Sequence, residues 1–176
     1  GNTFGNQTTA YFNKEYSGFW NTLEVIDIDD DGDPDIVAGN LGNNSQLKAS
    51  DHEPAELVYR DFDNNGSVDP LLCYYIQGES YPDASRDMLL DQIYPMRKKF
   101  VNYESYANAR LEDIFTETEL KSAKRLSVNT LETMIFMNEN GKFIPKSFPR
   151  QAQFAPVHSI EVLDVNNDQL KDIIIM

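Results

Sequence analysis

Three nonapeptides of nearly identical design constrain the fold of this chain more than any other feature of its sequence. They read DIDDDGDPD from Asp27, DFDNNGSVD from Asp61 and DVNNDQLKD from Asp164. Each places oxygen-bearing side chains on alternate positions and comes directly before an apolar run. Twelve of the 29 acidic residues lie inside these copies, so much of the formal net charge of −14 is concentrated in three short segments.

Short β-like runs flank each acidic nonapeptide. The pairs are NTLEVI and IVAG, ELVYR and PLLCYYI, and SIEVL and IIIM. Runs of β-branched and aromatic residues bounded by Asp, Asn and Gly are typical of strands joined by turns. The predicted unit is therefore a strand, an acidic loop and a second strand. Two further strands are predicted over residues 131–137 and 142–145, joined by a hairpin turn at Asn140-Gly141.

The pattern changes between residues 83 and 125. Segments such as SRDMLLDQI, PMRKKF and TELKSAKRL contain good helix formers and space their apolar residues by three or four. We therefore predict a helical insertion of about 40 residues in a mainly β protein. The insertion explains why the second and third nonapeptides begin 103 residues apart, whereas the first two begin 34 residues apart.

The nonapeptides offer the ligands that a hard divalent cation prefers. Ca²⁺ takes six to eight oxygen ligands at about 2.3 to 2.6 Å, and a tight loop can supply them from alternate side chains and one backbone carbonyl. Gly at position 6, present as Gly32 and Gly66, permits a left-handed turn around the ion. The predicted ligands at positions 1, 3, 5, 7 and 9, where position 7 offers its carbonyl, are Asp27, Asp29, Asp31, Asp33 and Asp35; Asp61, Asp63, Asn65, Ser67 and Asp69; and Asp164, Asn166, Asp168, Leu170 and Asp172.

An EF-hand shares only the first half of this pattern. That motif requires a Glu at position 12 and a helix on each side. Position 12 is Ala38, Leu72 and Ile175 in the three copies, and the flanking segments are predicted strands. Dockerin-type helical loops are excluded by the same flanks. The sequence therefore predicts calcium loops within a β-sheet protein.

The segment DIDDDGDPDIV and its two companions resemble the calcium loops of FG-GAP or VCBS repeats, the blades of integrin-α-like β-propellers. The phrases GNLGNNS, YANARLEDIF and GKFIPKSFPRQAQFAPVHSIEVLDVNNDQLKDI resemble the bacterial subgroup associated with ASPIC/UnbV regions. The resemblance implies export to an extracellular, periplasmic or outer-membrane-surface location and Ca²⁺ bound within propeller blades. It also implies ligand binding or adhesion.

A propeller needs at least four blades of about four strands, more than this chain can supply. We therefore expect residues 1–176 to be a fragment of a larger propeller. Residues 20–80 would hold two repeat units, 83–125 the helical insertion and 131–176 a further, truncated unit. An exposed sheet edge would then be available for self-association.

The three loops are not equivalent. The second has three ligand carboxylates where the first has four, and the third carries Gln169 in place of the glycine. A left-handed turn at Gln169 costs on the order of 1 to 2 kcal/mol. We predict that calcium affinity falls from the first loop to the second and third.

The acidic charge disfavours nucleic acid and anionic membrane surfaces as partners. No apolar run is long enough to span a membrane. The expected partner is an extracellular protein or a glycan. An insertion containing Tyr94, Tyr103 and Tyr106, with Tyr81 just before it, offers an aromatic binding surface, unless these rings pack against the sheet.

No nucleophile or phosphate-binding motif is present, and His52 and His158 are interpreted as surface or packing residues. The protein is predicted not to be an enzyme. The alternative is a glycan-active enzyme that uses two carboxylates, or an accessory domain of one. The single cysteine, Cys73, lies in PLLCYYI and is predicted to be a buried, inert thiol.

Overall fold

Antiparallel hairpins are the main structural element of the computed structural model, which describes residues 3 and 5–176 of the chain. The strands are β1 (Thr22–Ile26), β2 (Asp35–Gly39), β3 (Ala55–Arg60), β4 (Asp69–Ile76), β5 (Glu79–Pro82), β6 (Lys124–Val128), β7 (Met134–Glu139), β8 (Lys142–Ser147), β9 (Ile160–Leu163) and β10 (Asp172–Ile175). The α-helices are α1 (Thr8–Tyr11), α2 (Arg86–Gln92), α3 (Leu111–Ile114) and α4 (Glu117–Ser122), with 3₁₀ turns at Tyr94–Lys98 and Arg150–Gln153.

The chain divides into two compact units. The split unit contains the first 46 residues together with Thr130–Met176, and the inserted unit contains Leu47–Asn129. The split unit holds a four-stranded antiparallel sheet in the order β1-β2-β7-β8 and the separate hairpin β9-β10. The inserted unit holds a second four-stranded sheet, in the order β5-β4-β3-β6, together with α2, α3 and α4.

Both faces of the first sheet are packed. One face carries Val37, which forms a buried cluster with Val157 and Ile160 next to the β9-β10 hairpin. On the other face, the ring of Phe136 is contacted edge-on by Phe12 and Tyr16, with ring centroids 5.4 and 5.0 Å apart. Alternate residues of a strand point to opposite faces, so this arrangement holds the strands in a fixed register.

The core of the inserted unit lies between its sheet and its helices. Leu89 and Ile93 on the α2 side pack with Leu71 and Val58 from the sheet, and each is at most 1% exposed. Ser85 begins α2 with its hydroxyl oxygen accepting from Met88 N–H, and Thr116 begins α4 in a capping box. These caps satisfy backbone donors that a helix leaves unpaired at its start.

Every strand that the sequence predicts beside an acidic nonapeptide is present, with bounds that differ by one residue at most. The Asn140-Gly141 turn is also confirmed, since both residues have positive φ, 55° and 77°. The prediction of a mainly β protein is therefore confirmed. Neither a closed barrel nor a closed propeller is formed by the part of the chain that the structure describes.

The helical region differs in detail from its prediction. Helices are present, but most of residues 99–110 form turns rather than a continuation of the Tyr94–Lys98 segment. Residues 124–126, predicted as the end of a helix, begin β6 instead and pair with β3. Pairing with β3 satisfies the backbone of these residues, and this tertiary contact overrides their local helix propensity. No helix among the described residues has the length and apolar character needed to cross a bilayer.

The Cys73 thiol is fully buried on β4, and burial raises its pKa to about 12. Because the thiolate is the reactive form, Cys73 should resist alkylation at neutral pH in the folded protein. We expect iodoacetamide to modify it only when urea unfolds the inserted unit, as measured by intact mass. Modification at equal rates with and without urea would contradict this expectation.

Candidate metal sites

Each acidic nonapeptide forms the loop of an antiparallel hairpin. The first acidic loop joins β1 to β2, the second joins β3 to β4, and the third joins β9 to β10. The first and third loops belong to the split unit, whereas the second belongs to the inserted unit. The predicted unit of strand, acidic loop and strand is therefore confirmed in all three copies.

Two hydrogen bonds recur in the same positions of every loop. The carboxylate at position 9 accepts from the backbone N–H at position 2; the bonds are Ile28 N to Asp35 Oδ2 at 2.8 Å, Phe62 N to Asp69 Oδ2 at 2.8 Å and Val165 N to Asp172 Oδ2 at 3.0 Å. The carboxylate at position 1 accepts from the N–H at position 6; the bonds are Gly32 N to Asp27 Oδ2 at 3.0 Å, Gly66 N to Asp61 Oδ2 at 2.9 Å and Gln169 N to Asp164 Oδ2 at 2.8 Å. These bonds close each loop around its own acidic side chains.

Two positions in every loop have left-handed backbone angles. Position 6 was expected to do so, and its φ values are 97° at Gly32, 90° at Gly66 and 70° at Gln169. Position 4 was not singled out from the sequence, although its φ is 61° at Asp30, 58° at Asn64 and 61° at Asn167. Asp and Asn tolerate this conformation better than other residues with a Cβ. The Asp or Asn at position 4 of every copy was therefore the feature of the sequence that indicated this left-handed conformation.

A glycine exchange tests the strain at position 6. We expect Gln169→Gly to raise the free energy of unfolding by about 0.5 to 1 kcal/mol, because relief of left-handed strain exceeds the added entropy of the unfolded chain. Gly32→Ala should lower it by about 1 to 2 kcal/mol through the backbone alone, since a Cβ at Gly32 has nothing within 4 Å. Urea unfolding in EDTA measures both. Loss of stability in Gln169→Gly would show that the turn at this residue is unstrained.

Two groups of three carboxylates can each hold a metal ion. Asp27, Asp29 and Asp35 bring one oxygen each to within 4.8 Å of one another, and Asp61, Asp63 and Asp69 do the same. Two oxygens on opposite sides of a Ca²⁺ ion lie up to about 5.2 Å apart, which is twice the longest usual Ca–O distance. Each group therefore fits around one ion of its own.

The first loop differs from the other two at the second oxygen of position 1. In the second and third loops this oxygen accepts the position-5 N–H, at 3.0 Å from Asn65 N to Asp61 Oδ1 and 3.1 Å from Asp168 N to Asp164 Oδ1. In the first loop, Asp27 Oδ1 is buried and accepts no hydrogen bond from residues 3 and 5–176. A buried carboxylate oxygen without a partner is energetically costly, and a cation is the partner that suits it best.

In the first two loops, the carboxylate at position 9 is the most deeply buried acid. Asp35 is 1% exposed and its Oδ1 also accepts from Asn138 N–H on β7 at 2.7 Å, which ties the first loop to the neighbouring strand. Asp69 is 2% exposed. Burial raises the Asp69 pKa, opposed by the bond from Phe62 N–H and reinforced by the charges of Asp63 and Asp61. A bound cation would remove this excess of negative charge.

Lys171, at position 8 of the third loop, reaches the first loop. Its ammonium donates to the backbone carbonyl of Asp27 and forms an ion pair with the Asp30 carboxylate. The hydrogen bond with Asp30 raises the Lys171 pKa. Asp30 is not among the predicted ligands, so this ion pair leaves the first group of three carboxylates intact. Nothing in the sequence indicated the contact, because it joins residues far apart in the chain.

Not every predicted ligand joins a carboxylate group. The position-5 side chains lie outside the groups of three, and one oxygen of each accepts the N–H of position 7, at 2.9 Å for Asp31, 2.7 Å for Asn65 and 2.8 Å for Asp168. Each of these side chains keeps a further lone pair that can bind an ion. The third loop forms no group of three carboxylates among the described residues. One of its ligand positions is Asn166, whose amide donates to Asp168 Oδ2 at 3.0 Å.

The tyrosines of the helical region divide into two sets. Tyr94 and Tyr103 are 72% and 67% exposed. Tyr106 packs edge-on against Phe100, its hydroxyl donates to the Ala84 carbonyl at 2.7 Å, and burial raises its pKa to about 12. Part of the predicted aromatic surface is therefore exposed, and part serves to pack the insertion.

Comparison of the chain with models of known protein families, with curated proteins and with solved structures finds no match.

Proposed function

We propose that the acidic loops bind Ca²⁺ and that the ion stabilises the fold. The observation that carries this proposal is Asp27 Oδ1, a buried carboxylate oxygen that accepts no hydrogen bond from the described part of the chain and belongs to a group of three converging carboxylates. The same loop geometry recurs at the second loop with a second such group. A cation at these points would neutralise charge that the fold concentrates there.

The chemistry of the ligands favours calcium over other metals. Every predicted ligand is an oxygen, whereas Zn²⁺ sites usually contain His or Cys. The loops supply several oxygens from one flexible segment, which suits the high and variable coordination number of Ca²⁺ better than the strict octahedron of Mg²⁺. The position of the loops supports a structural role, because each loop connects the two strands of a hairpin.

The wider proposal is an exported module of the FG-GAP or VCBS type that recognises an extracellular protein or glycan, as in adhesion. Its support is the repetition of one hairpin and loop design three times in a mainly β chain. Extracellular calcium modules bind the ion at about 10⁻⁴ to 10⁻³ M, a range that keeps weak loops occupied outside cells. The exposed Tyr94 and Tyr103 are of the residue type enriched where proteins contact ligands.

Calorimetric titration of the EDTA-treated protein tests the proposal. We expect Ca²⁺ affinity to be highest at the first loop, lower at the second and lowest at the third. The first loop is placed highest because, of the three, only it has a buried carboxylate oxygen without a hydrogen-bond donor among the described residues. Asp31→Ala should remove the tightest phase, Asn65→Ala the next, and Asp168→Ala the weakest. Equal affinities at the three loops would refute the ranking, and absence of heat and of any Ca²⁺-induced spectral change would refute calcium binding.

A further inference from the structure

A cavity of about 410 Å³ lies in the split unit, away from the acidic loops. Its volume is within the usual range of small-ligand pockets, about 300 to 1,000 Å³. It is lined by residues with aromatic, amide, carboxylate and guanidinium side chains, which are Asn43, Asn44, Glu132, Phe148, Arg150, Gln153 and Phe154. This mixture of flat apolar surface and hydrogen-bonding groups is typical of pockets for polar organic molecules.

The backbone around this cavity is fixed by a buried amide. Gln153, 6% exposed, accepts from Thr133 N–H at 2.9 Å and donates to the Thr133 carbonyl at 3.0 Å. The backbone carbonyl of Gln153 accepts from the backbone N–H of Asn43 at 2.9 Å and of Asn44 at 3.2 Å. Gly42 has a φ of 82°, and a Cβ there would lie 2.7 Å from the Gln153 carbonyl oxygen. The chain is therefore held closely against Gln153, with both asparagines at the cavity.

The carboxylate of Glu132 is held in place from both sides. Its Oε1 accepts from the Asn43 amide at 3.0 Å, and its Oε2 accepts from the Ser147 hydroxyl at 2.8 Å. Each carboxylate oxygen has a second lone pair, so Glu132 can still accept a hydrogen bond from a ligand. Its fixed negative charge disfavours a simple anion and favours a ligand that brings hydroxyl donors.

Three groups at the cavity have binding capacity that the protein itself does not use. The Arg150 guanidinium makes no ion pair or hydrogen bond within residues 3 and 5–176. Asn44 uses its amide N–H₂ on the Phe154 carbonyl, at 3.1 Å, which leaves its Oδ1 available as an acceptor. Phe154 is 53% exposed. A guanidinium binds a carboxylate in a two-point geometry, and an exposed ring offers a flat apolar face.

We propose that this cavity binds a sugar ring that carries a carboxylate, a uronate. Its carboxylate would pair with Arg150, its hydroxyls would donate to Glu132 and Asn44 Oδ1, and the apolar face of its ring would stack on Phe154. A neutral sugar would leave Arg150 unused, and an anion without hydroxyls would meet the Glu132 charge uncompensated. The proposal goes beyond the calcium role and does not depend on it, because no acidic-loop residue lines the cavity.

The test titrates the calcium-saturated full chain with D-galacturonate, followed by amide NMR shifts. We expect a dissociation constant of about 1 to 10 mM, shifts at Asn44 and Phe154, and at least tenfold weaker binding of D-galactose. Digalacturonate is added as a second probe, and whichever of the two uronates binds more tightly identifies the form that the cavity recognises. Arg150→Gln should weaken uronate binding at least tenfold.

Lys146→Gln is the matched control, since it also removes one exposed positive charge from the split unit but lies outside the cavity. It should bind galacturonate as the native chain does, and both variants should retain calcium-dependent melting. Equal binding of galactose and galacturonate would overturn the proposal. Unchanged binding by Arg150→Gln would also overturn it, as would shifts confined to the acidic loops, which would indicate only chelation of bound calcium.

Discussion

Treatment with EDTA is expected to lower the melting temperature by about 5 to 10 °C for each loop that calcium fills, and added Ca²⁺ should restore it. A site held at 100 times its dissociation constant stabilises the folded state by roughly 2.7 kcal/mol. For a chain of 176 residues, each kcal/mol shifts the melting temperature by about 2 to 4 °C. Circular dichroism with and without excess EDTA measures the shift.

The single tryptophan allows the two units to be followed separately. Trp20 is half-buried in the split unit, where its indole N–H donates to the Tyr16 carbonyl at 3.3 Å, so its fluorescence reports the melting of that unit. Asp31→Ala should reduce the calcium response of this signal, whereas Asn65→Ala, in the inserted unit, should leave it as in the native chain. Melting curves that are the same in EDTA and in calcium would show that the loops are empty.

Asp35→Ala is expected to cost about 2 to 4 kcal/mol of stability even in EDTA. The substitution leaves the backbone N–H groups of Ile28 and Asn138 without their acceptor, and each unpaired buried donor costs about 1 to 3 kcal/mol. We therefore expect Asp35 to have a structural role in the metal-free protein in addition to the role of metal ligand that we propose for it.

Asp31→Ala is the matched comparison in the same loop. Asp31 is exposed and accepts only the Asp33 N–H, so its loss should change stability in EDTA by no more than about 0.5 kcal/mol. In calcium, both variants should lose the stabilisation due to the ion. Urea unfolding under both conditions separates the roles, and equal losses for the two variants in EDTA would refute a distinct structural function of Asp35.

The sequence predicted the hairpins well because their determinants are local. Flanking β-branched residues and an acidic turn are sufficient to specify strand, loop and strand. Strand β6 was missed because Lys124–Val128 is an exposed edge strand whose formation depends on pairing with β3. Such pairing is a tertiary contact that local residue preferences do not encode.

In the candidate metal sites, too, the features set by local sequence were predicted and the tertiary contacts were not. Positions 1, 3 and 9 of the first two loops converge as their alternate spacing predicted. The contacts of Lys171 with the first loop and of Asn138 with Asp35 were not predictable, since each joins residues more than 100 positions apart. The sequence also could not predict that Asp27 Oδ1 lacks a donor whereas Asp61 Oδ1 and Asp164 Oδ1 each accept a hydrogen bond. This difference depends on whether one backbone N–H, that of position 5, donates to the oxygen.

The placement of the inserted unit has a consequence for the order of folding. Strands β2 and β7 are neighbours in one sheet, yet the whole of Leu47–Asn129 separates them in the chain. Closing so long a loop costs roughly 4 kcal/mol of chain entropy. The inserted unit removes most of this cost when it forms first, because its own strands pair Ala55 with Val128 and bring its two ends together. We therefore expect the middle of the chain to fold early and to serve as the nucleus on which the first sheet is completed.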